Sequence, residues 1–150
     1  MSTLNVNTIV DATGSGGTNV KVANNSTYVS DGGSVTQNTV QGLVKAWSHF
    51  QGGGTEAHVD SNNFDVSTID DDATGDFGVH FINNMSNVTY AVVNGMDDDG
   101  VSSAIVGIDT TNGTMATGGF DFETFYVTAG DNRTNYDYYN CYIAVIGDLA

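Results

Sequence analysis

From residue 43 onward, apolar and polar residues alternate in short runs separated by turn clusters. The runs cover 43–50, 56–59, 63–69, 75–83, 88–96, 102–109, 120–128 and 138–147. QGGG, DDDATG, NNMSN, MDDDG, TTNGT and TAGDNRTN lie between them. A two-residue period places alternate side chains on opposite faces of a strand. In 120–127, Phe120 and Phe122 lie opposite Asp121 and Glu123. In 75–83, Phe77, Val79 and Phe81 share one face, with Asp76 and His80 on the other. In 138–147, Tyr139, Cys141, Ile143 and Val145 alternate with Tyr138, Asn140, Tyr142 and Ala144. Both faces of that run are apolar enough to be covered, which predicts a central strand or one packed on a neighbouring subunit. Strands at this spacing, with no helical stripe among them, predict an all-β chain: an antiparallel, jelly-roll-like β-sandwich over 45–150.

The first 33 residues have a different texture. Leu4, Val6 and Ile9 nearly alternate with polar residues, and Gly, Ser and Asn dominate the rest. Such a segment buries too little by itself to offset the entropy of ordering it. It is expected to be an extended arm, ordered only against another subunit or another protein. Between arm and domain, 34–44 is a linker or a short helix. Val40, Leu43, Val44 and Trp47 match i, i+3, i+4 and i+7, and Gly42 could end a helix over 36–41.

Charge narrows the function. Three basic residues stand against eighteen acidic ones, a net charge of −15. That balance argues against nucleic-acid binding, which needs Lys and Arg at phosphates, and against anionic membrane surfaces. It suits a salt-rich medium that screens self-repulsion. Cys141 is the single cysteine and lies in an apolar run, so it reads as a buried thiol. A chain without intrachain disulfides fits assembly in a reducing cytoplasm. No signal peptide and no membrane-spanning run is visible.

Candidate chemistry is sparse. Asp70, Asp72 and Thr74 with Gly75 imitate the start of an EF-hand loop, but Phe81 stands where a bidentate Glu belongs. This run and Asp97–Gly100 therefore read as solvated turns. His49, His58 and His80 lack zinc-ligand spacing. Glu123, flanked by Phe122 and Phe125, is the one candidate for a raised pKa in an apolar setting, and alternation puts it on the polar face. No nucleophile–base pair or phosphate-binding glycine loop is present; Gly52–Gly54 lacks the Lys and helix such a loop needs. No enzyme activity, cofactor or metal is expected. Tyr136, Tyr138 and Tyr142 are the candidate recognition surface, because tyrosine joins a large apolar ring to one hydrogen-bonding tip. The loops around 97–100 and 110–119 are further candidates.

The segment 45–93 carries a resemblance. KAWSHF (45–50) has the form K-x-W-x-x-F, NFDVSTIDDDATGDFGVHF (63–81) has the form F-D-V-S-x-I-x-D…T-G-D-F-x-V-x-F, and YAVV (90–93) has the form Y-x-V-V. In this order they resemble a domain of tail-fibre-like proteins of marine bacteriophages, cyanophages above all. The opening MSTLNVNTI and the closing NCYIAVIGD are similar to the start and final strand of such proteins. Ser48 and His49 stand where the family usually has Val-Asn, and the DDDATG turn is more acidic than its counterpart. The resemblance implies a virion structural protein made in the host cytoplasm, most simply a homotrimeric short tail fibre. Leu4, Val6 and Ile9 would then attach the arm to other phage tail or capsid proteins, and the β-domain would face a host-surface glycan or protein. A capsid decoration or head-fibre protein without a receptor role, and a stand-alone carbohydrate-binding module, are the alternatives.

Overall fold

The structure, a computed structural model, describes residues 27–29, 36–38, 42–53, 57–97, 100, 104–109, 113–130 and 132–150. The chain divides into two compact units, Met1–Val40 and Gln41–Ala150. Leu4, Val6 and Ile9 lie outside the described residues. In the first unit, β1 (Thr27–Val29) pairs antiparallel with β2 (Thr36–Asn38). Thr36–Asn38 is therefore extended, where the hydrophobic spacing admitted a helix. The poor helix propensity of Thr36 and Asn38 agrees with that outcome.

The second unit contains β3 (Val44–Gln51), β4 (Ala57–Phe64), β5 (Val66–Ala73), β6 (Asp76–Phe81), β7 (Ala91–Met96), β8 (Ala104–Ile108), β9 (Gly119–Val127), β10 (Arg133–Asn135) and β11 (Cys141–Ile146). No helix occurs among the described residues. One antiparallel sheet has the order β4-β3-β11-β7. The other runs from β5 through β6 to β9, with β8 on the far edge of β9. β10 pairs with β9 over Phe125–Val127, beyond the stretch that β6 pairs, Gly119–Glu123. The two sheets face each other as a β-sandwich. Two packed sheets are what the jelly-roll-like expectation shares with the structure. The strand succession is its own, because the pairs β3–β4, β5–β6 and β8–β9 each stay within one sheet.

Alternation explains the interior. Phe77, Val79 and Phe81 of β6, Phe120 and Phe122 of β9, and Cys141, Ile143 and Val145 of β11 are all buried. They meet Phe50 and Ala46 of β3. Phe50 stands edge-on to Phe77 at 5.7 Å and to Phe122 at 5.6 Å, which locks the sheets together through their centre. A second group joins Phe81, Phe120 and Tyr90, whose hydroxyl lies 2.9 Å and 2.7 Å from the carbonyls of Ala116 and Gly119. Burial pushes the Tyr90 phenol up to about 12, so it remains a donor.

Two local devices set the connections. Asp65 lies alone between β4 and β5, where the chain changes sheets, with φ of 58°. Aspartate tolerates this left-handed conformation better than most residues. Its carboxylate accepts from the Asn83 backbone N–H at 3.1 Å and from the Asn83 side-chain amide at 2.5 Å. Gly75 turns β5 into β6 with φ of 70°, and a Cβ there would run into the Thr124 carbonyl. Its N–H donates to Asp137 at 2.5 Å, and its carbonyl accepts from Thr124 N–H at 2.8 Å. Thr124 is thus the place where β9 exchanges β6 for β10.

Two expectations change. Asp70–Asp72 belongs to β5 and forms a strand, because pairing with β6 continues to Ala73 opposite Asp76; only Thr74 and Gly75 make the turn. β10 arises inside a cluster that reads as pure turn. Trp47 points away from the interior, whereas Phe50 is fully buried.

Candidate functional site

Of the three tyrosines proposed for recognition, the structure leaves one on the surface. Tyr138 is 0% exposed and belongs to the core. Tyr136 is half-buried, with its ring set against Tyr138 at 4.9 Å and Tyr126 at 5.9 Å. Tyr142 is 43% exposed on the outer face of the first sheet, and Tyr139, which alternation sets on the same face as the buried Cys141, is 49% exposed. The reason is local. β11 starts only at Cys141, so the irregular stretch before it breaks the two-residue period and exchanges the roles of Tyr138 and Tyr139.

Tyr142 is built into a small polar–aromatic group at one end of that sheet. β3 and β11 place His49 directly opposite it, and the rings stack at 4.5 Å with planes 21° apart. On the other side its partner is Gly95 of β7, where a side chain would meet nothing within 4 Å. One flank of the tyrosine ring is therefore open. His49 Nε2 lies 3.0 Å from Asn140 Oδ1. The Asn140 amide donates to Asp97 Oδ2 at 2.6 Å, and the Asn140 backbone N–H donates to Asp97 Oδ1 at 3.1 Å. Because the carboxylate only accepts, the amide oxygen faces His49, and Nε2 carries the proton. Tyr142, His49, Asn140 and Asp97, with Tyr139 beside them, offer an aromatic face fringed by fixed donors and acceptors. A sugar ring or a peptide carbonyl fits that chemistry. The sequence did not single out His49 and Asn140 here, since only the β3–β11 register brings residues 49 and 142 together.

The outer face of the second sheet is acidic. Asp70 and Asp72 of β5, His80 of β6 and Asp121 of β9 surround Gly78, which leaves the floor bare. His80 Nε2 lies 2.9 Å from Asp70 Oδ2, and both side chains are about half exposed. Nearby, burial pushes the Asp76 carboxyl above its ordinary value, and Asp109, Asp72, Asp121 and Glu123 push it further. A shallow cleft of about 320 Å³ opens beside this face, lined by His80, Asp121, Phe120 and Ala116 among others. Among the described residues, no group of three or more His, Cys, Asp or Glu is gathered to hold a metal. The His58 side chain lies outside the described residues, as do Asp98, Asp99 and 110–112 of the candidate loops.

The remaining candidates have structural partners. Glu123 forms a bidentate pair with Arg133, whose guanidinium also sits 4.2 Å from the centre of the Phe125 ring. Cys141 is fully buried, and burial pushes its thiol up to about 12. No described helix is long and apolar enough to cross a membrane. No family model, curated protein or solved structure matches the chain.

Proposed function

We propose that this chain is a bacteriophage virion structural protein, a short tail fibre or fibre tip that attaches through its N-terminal segment and presents the β-sandwich to a host surface. The observation that carries the proposal is the organisation of the chain. A small unit, 1–40, precedes a sandwich, 41–150, and the segments resembling marine phage fibre proteins supply central strands of that sandwich. K-x-W-x-x-F is β3, and the D-F-x-V-x-F motif is β6, the inner strand of the β5–β6 pair. Phe50, Phe77, Val79 and Phe81 of those segments fill the core, which suits a scaffold that displays its outer surface. Recognition would fall to the Tyr142 end of the first sheet, with Tyr139 beside it, where an aromatic face and fixed polar groups meet. A homotrimer is the assembly state that the resemblance implies.

The test is labelling of the particle. Antibodies against the purified protein, gold-conjugated, should bind the tail of phage particles produced from the genome that encodes it. Labelling on the head would favour the decoration-protein alternative. Particles that carry no label, in a lysate where the free protein is detected, would contradict a virion role.

A further inference from the structure

The outer face of the β4-β3-β11-β7 sheet is apolar along rows set by the strand register. Phe64 pairs with Trp47, Trp47 with Ala144, and Ala144 with Val93, so one row crosses all four strands. Phe64 is 54%, Trp47 37% and Val93 57% exposed. The adjacent row, Val44, Ile146 and Ala91, is also apolar. Monomeric proteins rarely leave large side chains contiguous in this way.

We infer that this face is where copies of the chain meet. Charge selects the occupant. The chain carries net −15, and the other sheet turns Asp70, Asp72, Asp121 and Glu123 outward. The two apolar rows hold no carboxylate among their described residues. Here two like-charged copies approach without stacking acid on acid, and here a basic partner would find nothing to pair with. Shape points the same way. Phe64 and Trp47 make one half bulky, while Ala144, Ala91 and Val93 make the other half low. The bulky half of one copy fills the low half of the other, so the face is complementary to itself. Four strands about 4.8 Å apart and roughly six residues at about 3.3 Å give a face of roughly 400 Å² in projection. That is about half the ~800 Å² per partner of a standard interface. Association through this face alone is therefore reversible on dilution and strengthened by salt. The Tyr142–His49 end lies at the sheet's opposite margin from Val44 and Ile146.

This inference rests on the homotrimer part of the proposed function, and the experiment separates the two. Trp47 is the only tryptophan, so its fluorescence reports on this face alone. Mass by sedimentation velocity and Trp47 emission are followed together through a dilution series of the full chain. The expected result is an oligomer in which Trp47 is blue-shifted and shielded from acrylamide, with both signals lost together on dilution. Val93→Asp should weaken association at least tenfold with an unchanged circular dichroism spectrum. Phe64→Gln serves as a second variant, and Ile105→Asp on β8 should leave the mass unchanged. A dimer with Trp47 shielded supports the surface and contradicts the trimer. An oligomer with Trp47 quenchable and Val93→Asp without effect overturns the surface. A monomer at high concentration and salt overturns both; if its Trp47 is shielded, the chain's own 1–40 covers the face.

Discussion

Phe50 and Phe122 meet edge to face in the middle of the sandwich, with ring centroids 5.6 Å apart and planes at 84°. They belong to different sheets, so this contact is a direct tie between the halves of the domain. Phe122→Ala should cost about 3–5 kcal/mol, as for other fully buried aromatics cut back to alanine. Urea denaturation checks it, and a loss under 1 kcal/mol would mean the two sheets do not pack through this ring.

The Asp65 corner makes a separate demand on the chain. Asp65 is 7% exposed, holds φ of 58° and satisfies two Asn83 donors. Asp65→Ala removes the acceptor and adds strain, and should destabilise by about 1–3 kcal/mol. Asp65→Asn keeps an acceptor and the tolerance for left-handed φ, so it should retain most of the stability. Equal losses in the two variants would show that the corner does not depend on the side chain.

Much of this core was legible in the sequence because inner-face strands repeat cleanly. Phe77, Val79 and Phe81, or Phe120 and Phe122, announce both the strand and its inward face. The misses have physical causes. β10 is short and exposed throughout, with Arg, Thr and Asn, so no apolar period marks it. Asp70–Asp72 forms strand because backbone pairing with β6 carries on after the apolar pattern stops. Tyr138 and Tyr139 exchange places because periodicity says nothing about where a strand begins. The Tyr142–His49 pair depends on register between strands far apart in sequence, which a single sequence does not encode locally.

Asp76 links the acidic sheet face to pH. Its folded-state pKa lies above the ordinary 3.8, through burial first and then the surrounding carboxylates. A raised value means that the protonated form is favoured in the folded state. Its contribution is fully present below the unfolded value and is lost as pH rises through the folded one. Asp76→Asn should therefore raise the urea midpoint at pH 7, and the advantage should shrink towards pH 4. Added salt should stabilise the wild type more than the variant. A lower midpoint for Asp76→Asn at pH 7 would refute the repulsion.

Cys141 should be inert in the native protein. It is fully buried, with its thiol pushed up to about 12. A thiol reagent at pH 8 should modify it only at the rate of unfolding, and denaturant should make the reaction immediate. Rapid modification of the folded protein would place the thiol outside the core.

Host recognition is the central claim, and competition for adsorption tests it most directly. Purified full-length protein is added to host cells before the phage, and the adsorption rate is followed against protein concentration in a high-salt medium. The account predicts dose-dependent slowing, as the sandwich occupies the surface groups that the particle needs. An adsorption rate unchanged at the highest soluble concentration, with a folded and oligomeric protein, would contradict it.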